Sequence, residues 1–468
     1  MRKKRDIMVT PPWRINEVLE RAENGPVCLE KDYDLKFLVS GLRRVIKEYD
    51  ITFDPAIPVP QDNTLADNLW KAAKDLYLEI GTLCTDTHRR IIFTEEELKE
   101  ALGNFPGRFT LGFGCDSKEI GARKIEDPQR PFCLFSPDIM CDEDIFVPMS
   151  MAYLQEPLAN GVCAPILDEI EGLPIRSGYP SEVKGSVAHA MMFREAARRV
   201  GRPGIFLKSV GTAESDAAQI AASNPEWGER LTDGRFVACI TELKIDNSLL
   251  NKMVHFHTYG CYVGCLAGPI LGGYAGGPEG TAIVGVAYHL MGLLVNQAHF
   301  MNYFPFHLRH TCNTMRELLW VISTTYQALA RNSNFVSMSN GFAAAGPCTD
   351  MVLQEAATHG LVSVVSGGNL WEMAVAKNRH KNYATPIEAR MAAEVGSGAA
   401  VERITRGDAN DLALSILKMY EENIKDAPLG KNFRECYNVQ KIKPSDEYLN
   451  LYRKIRKELE DIGVPFIY

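Results

Sequence analysis

Gly201-Arg202-Pro203-Gly204-Ile205-Phe206-Leu207-Lys208 is the stretch on which the reading of this chain turns. Pro203 and Gly204 stop the preceding helical run, and Ile205, Phe206 and Leu207 form a short buried strand. Lys208 ends that strand as a single cation in apolar surroundings. In alternating α/β proteins, reacting side chains are mounted at the carboxyl ends of strands, which makes Lys208 a site candidate. The alternative is a lysine that snorkels to solvent.

Working outward, residues 181–200 carry a helical pattern and residues 236–240 a second β-rich run. Alternation of this kind favours a parallel sheet or barrel. Up to about residue 140 the apolar spacing is helical instead, as in Leu35, Leu38, Leu42, Val45 and in Leu69, Ala73, Leu76, Ile80. Pro55, Pro58, Pro60, Gly103, Pro106 and Gly107 break this part, and residues 109–113 suit a short strand. The longest apolar region, residues 281–306, contains His289, Asn296, Gln297, His299 and Asn302. Those polar groups suit a buried helix and not a membrane span. Residues 444–462 carry Ser445, then Tyr448 one turn later, and continue with interleaved charges, the pattern of a solvated surface helix.

Across 468 residues the formal charge is -8, and Arg2-Lys3-Lys4-Arg5 is the sole unbroken basic run of four. Nucleic acid is therefore not expected as a partner. No apolar segment of signal-peptide length follows that run, so the expected location is the cytoplasm, with no membrane association. Twelve scattered cysteines suit reduced thiols better than a disulfide framework.

Gly272-Gly273-Tyr274-Ala275-Gly276-Gly277 lacks the spacing of a phosphate-binding loop and reads as a tight turn. Asp86-Thr87-His88-Arg89-Arg90-Ile91 has isoleucine where a cobalamin-ligand motif needs glycine. His255 and His257 share a face if residues 253–257 are a strand, and with Cys261 and Cys265 they could hold zinc. The competing reading is of core residues, with no metal held. No nucleophile elbow or His-Glu-x-x-His helix occurs.

Eight strings in order resemble the monomethylamine methyltransferase family of methanogenic archaea. They are residues 84–89, 201–204, 242–246, 272–277, Arg316-Glu317-Leu318, residues 345–351, Glu388-Ala389-Arg390-Met391, and residues 430–433 with 435–437. The resemblance implies a TIM (β/α)8 barrel over residues 146–468, with an N-terminal helical extension over residues 1–145. It also implies a homo-oligomer that moves a methyl group from a small methylated substrate to Co(I) of a separate corrinoid (cobalamin) protein, this chain itself holding no cofactor. The family places pyrrolysine, an electrophilic imine, after Gly-Arg-Pro-Gly; counted without gaps, that position is Lys208.

A lysine amine is not an electrophile and cannot capture an amine in that way. Where the family places two glutamates this chain aligns Phe236 and Leu266, and where it places glutamine and tyrosine this chain has Asn340 and Phe342. Losing two carboxylates disfavours a small ammonium ion, so monomethylamine is not the expected substrate. Two readings stay open within the family. In one, Phe236 and Phe342 wall a quaternary ammonium. In the other, which fits Lys208 better, the substrate is neutral or anionic and Lys208 stabilises charge or protonates the departing heteroatom. Outside these stand a zinc-dependent methyltransferase and a catalytically inactive relative.

Overall fold

The computed structural model describes residues 13–208 and 210–468; the basic run Arg2 to Arg5 and Ser209 lie outside the described residues. Eight parallel strands make one sheet: β1 Cys133–Phe135, β2 Gly161–Val162, β3 Phe206–Leu207, β4 Gly234–Ala238, β5 Tyr262–Ala267, β6 Phe300–Tyr303, β7 Ser337–Phe342 and β8 Asn369–Ala374. Neighbours pair in chain order, β8 returns to β1, and Lys208 at the end of β3 bridges Gly234 of β4. That bridge closes the ring. A helix follows every strand, from Glu143–Leu154 after β1 to Pro386–Val401 after β8. This is the TIM (β/α)8 barrel. Local chemistry starts the helices: proline opens Pro180–Arg199, Pro278–Leu294 and Pro386–Val401, the last also capped by Thr385, and Asp246 and Thr349 accept backbone hydrogens at the N-termini of Asn247–Tyr259 and Asp350–Val365.

Residues 281–306 are not one helix. The helix ends at Leu294, Gln297 takes a left-handed conformation, and Phe300–Tyr303 is β6. Both pieces are buried on every side, so apolar residues fall at every phase of the run and its period does not separate them. The C-terminal helix Asp446–Asp461 is solvated on one face only; Tyr448, Tyr452, Ile455 and Leu459 are buried, and the Tyr448 hydroxyl donates to Glu388 at 2.6 Å.

The first barrel strand lies at 133–135, so position 145 falls inside the helix that follows it. The helix Asn63–Ile80 packs on Pro278–Leu294 and Arg316–Asn332, sharing one apolar cluster with them, and Arg331 grips Asp67 through two 2.7 Å bonds. The hairpin Arg108–Leu111 and Lys118–Gly121 places Leu111 and Ile120 against Leu134 and Phe206 at the amino end of the barrel.

Several of the strings that carry the resemblance touch one another. Leu83 and Cys84 pair in parallel with Lys244 and Ile245, and Lys244 binds Asp34 and Glu30, each at 2.8 Å. Residues 428–431 cross the loop that follows β7: Gly346 donates to Pro428 and Lys431 to Pro347, both at 2.9 Å. A β-carbon on Gly430 would stand 2.0 Å from the Pro347 oxygen, and φ there is +70°, so glycine is required.

Glu242 accepts from the Ile270 amide at 2.9 Å, and burial pushes its carboxyl up to about 8. Folding therefore raises this group above its unfolded value, and its contribution to stability is lost as pH rises toward the folded pKa. The buried His189, His289 and His299 are pushed down, so their linkage acts below pH 6.5. Between pH 6.5 and 8, Glu242→Gln should remove about 2 kcal/mol of the fall in stability. Urea unfolding at the two pH values checks this; an unchanged slope refutes it.

Candidate active site

The barrel interior is lined by alternate residues of each strand, and most of them are apolar. Phe206, Phe236, Phe300, Leu134, Met338 and Trp371 form one cluster there. Phe236 contacts Phe300 and Trp371 edge-on, each at 5.1 Å between ring centres. Glycine makes the room: a β-carbon at Gly264 would stand 2.5 Å from the Phe236 ring, and one at Gly234 2.5 Å from Phe206. The rings form a floor beneath the carboxyl ends of the strands.

Lys208 stands over that floor. Its backbone amide donates to Val162 at 3.0 Å, which continues the pairing of β3 with β2. Its half-buried side chain carries Nζ to 5.7 Å from the Phe236 ring centre and 5.5 Å from that of Trp371. Both are cation–π distances. Among the described residues the ammonium has no carboxylate or carbonyl partner. Its charge reaches buried His189, whose pKa is pushed down to about 3 by burial first and then by Lys208 and Arg235. That histidine is neutral, and its Nδ1 pairs with Thr212 Oγ1 at 2.7 Å.

Leu266 borders the aromatic cluster, half-buried. Asn340 is buried and donates through Nδ2 to Asp138 Oδ2 at 3.0 Å. Phe342 stands beyond an irregularity of β7 and turns to the rim, where it stacks on Phe304 at 5.7 Å; Phe304 in turn stacks on Phe306. Lys208, Phe236, Leu266 and Asn340 thus face one chamber, and Phe342 belongs to its edge.

Asp138 escaped the sequence reading. Its Oδ1 accepts from Ser136 at 2.6 Å, and its Oδ2 accepts from Asn340 and from Trp371 Nε1 at 3.1 Å. It follows β1 closely, as Lys208 ends β3, so the same strand-end rule selects it once β1 is recognised. Residues around β1 were read as part of the helical extension, which hid it. Trp371, the second missed residue, is read from the inward alternation of β8.

His255, His257, Cys261 and Cys265 do not converge. Asn247–Tyr259 is a helix, not a strand, so His255 and His257 point roughly 200° apart. His257 Nε2 pairs with the Asn296 carbonyl at 3.0 Å, His255 stacks on Tyr259, and Cys261 contacts the Phe256 carbonyl. Cys265 lies 3.3 Å from Cys239 Sγ instead. Among the described residues no group of three or more His, Cys, Asp or Glu is placed to hold a metal ion. Asp86 accepts from the Asn247 amide, which commits it to a helix start. No helix of the described residues is long and apolar enough to cross a membrane.

The floor yields a packing prediction. Gly264→Ala should destabilise the fold by about 1–3 kcal/mol, and Phe236→Leu in the same chain should recover most of that loss. Denaturant melts of the single and double variants check the coupling; additive losses would show that the two residues do not compete for one space.

The family model described as monomethylamine methyltransferase MtmB matches residues 13–464. The monomethylamine methyltransferase MtmB1 of Methanosarcina acetivorans is 31% identical over 449 residues, covering 96% of this chain and 97% of that protein. The MtmB of Methanosarcina mazei is 30% identical over the same shares. Among solved structures, the hydroxylamine MtmB complex superposes with a TM-score of 0.93 at 31% identity, covering 97% of this chain and 98% of that one. The Methanosarcina barkeri MtmB crystal structure gives the same TM-score at 30% identity. With the barrel and nearly the whole length shared, this chain belongs to the monomethylamine methyltransferase MtmB family.

Proposed function

We propose that this methyltransferase moves a methyl group from a small neutral or anionic compound to Co(I) of a corrinoid carried by a separate protein. Family membership supports the methyl transfer. The observation that carries the substrate reading is the Lys208 ammonium, which faces the chamber over Phe236 and Trp371. A methylammonium ion entering here loses its hydration and meets a like charge at Lys208, while the nearby Asp138 carboxylate already accepts three hydrogen bonds.

The chain's own residues then have simple tasks. The aromatic floor excludes water and holds the methyl group, which strengthens every polar interaction above it. Co(I), as the acceptor, supplies the electron pair of the new bond to carbon. The pair of the broken carbon–heteroatom bond stays on the heteroatom, and Lys208 Nζ hands it a proton, so that the product leaves with the charge the substrate brought. Solvent restores the lysine proton. At the rim, the stacked row of Phe306, Phe304 and Phe342, with Leu308 exposed beside it, offers a flat apolar shelf that suits a planar macrocycle presented by a partner.

The test is alkylation of Co(I) in a reduced corrinoid partner, followed by visible absorbance, against monomethylamine, methyl ethers, methyl thioethers and N-methyl compounds. A neutral or anionic compound should alkylate cobalt and monomethylamine should not. Lys208→Ala should slow the step by about 100-fold or more without lowering the melting temperature. Equal rates in Lys208→Ala, or turnover of monomethylamine alone, would overturn the substrate reading; no alkylation by any compound favours an inactive relative.

A further inference from the structure

Beyond Lys208, the barrel interior holds polar atoms that no group among the described residues satisfies. Asn302 lies on β6, in register with Leu266 of β5 and Met338 of β7. Those two residues belong to, or border, the interior cluster. The residues flanking Asn302 face the other way: Tyr303 pairs with Thr325 of the surrounding helix, and Met301 packs toward Gly292. Alternation therefore aims Asn302 into the barrel, one step above the layer of Phe236, Gly264 and Phe300.

Asn302 is 2% exposed and Asn340 is 3% exposed, and the Oδ1 atom of each is buried without a hydrogen-bond partner among the described residues. A buried acceptor left unpaired is costly, and two at inward positions of adjacent paired strands mark where donors belong. Asp138 supplies no such vacancy, since both its oxygens accept hydrogen bonds. What the chamber lacks is two polar hydrogens for the asparagine oxygens and one acceptor for the Lys208 ammonium. With the Lys208 ammonium over Trp371 and the Asp138 carboxylate bonded to the same side chain, the site is already balanced and its complement carries no net charge.

Resting on the methyl-transfer reading above, we infer that Asn302 is a substrate-binding residue and that the substrate is an uncharged N-methyl compound of the urea type. Its N–H groups donate to Asn302 Oδ1 and Asn340 Oδ1, and its carbonyl oxygen faces Lys208. The chemistry suits a site without an imine. When the methyl–nitrogen bond breaks, the pair left on nitrogen delocalises onto the carbonyl oxygen beside the cation, and a proton from Lys208 yields the demethylated urea. Ethers, thioethers and quaternary ammonium compounds lack the donors and would leave both oxygens unpaired.

The experiment is calorimetric titration of the purified chain with N-methylurea, using tetramethylurea, which keeps the carbonyl and has no N–H, as the control. N-methylurea should bind saturably and at least about tenfold tighter than tetramethylurea. Asn302→Leu should weaken it by about tenfold or more while the melting temperature stays level or rises, because an unpaired amide is removed. Asn302→Ala serves if the leucine variant does not fold. Equal affinity for the two ureas, no saturable binding, or indifference to both Asn302 variants overturns the assignment. The titration contains no corrinoid, so its failure is separate from a failure of methyl transfer, which would leave N-methylurea bound and cobalt unalkylated.

Discussion

Space at the barrel axis governs the rest of this structure. Phe206, Phe236 and Phe300 meet at the centre because glycine stands at 161, 234 and 264, where any β-carbon would enter a ring. Interiors tolerate little change of volume, so rings and glycines have to be matched as a set. The consequence is chemical as well as mechanical. A floor of hydrocarbon lowers the local polarity, so each polar group above it counts for more than it would in water. The placement of Lys208 follows from the same arrangement, since the backbone that carries the lysine also makes the bridge to Gly234 that closes the ring.

Much of this was readable from residues alone. The strand before Lys208, the helix after Pro180 and the buried face of Asn63–Ile80 follow from breakers and apolar spacing. What escaped has physical causes. Residues 281–306 carry apolar side chains at every phase, so nothing in their pattern separates a buried helix from the strand that carries Asn302. The strand β1 is three residues long, too short for a period to declare itself, and Asp138 went with it. His255 and His257 suggested a ligand pair only on the assumption of a strand; the Asp246 cap and the left-handed Gly260 delimit a helix there.

The site residues taken from the family register fare differently from one another because alignment reports position and not direction. Phe236 and Asn340 point inward with the alternation of their strands. Phe342 is two residues beyond Asn340 yet turns to the rim, since β7 slips its pairing between them. The chamber therefore has an aromatic base and an aromatic lip, with polar groups in the band between, and the two aromatic parts serve different neighbours.

The crossing of residues 428–431 over the loop after β7 bears on how the molecule is made. Synthesis is vectorial, and β8 leaves the ribosome more than fifty residues before that strap does. The wall of the barrel can assemble while the lip beside Gly346 is still unsecured. The scaffold is thus complete in the chain before its entrance is, and the chamber takes its working shape only once residues 428–431 are in place.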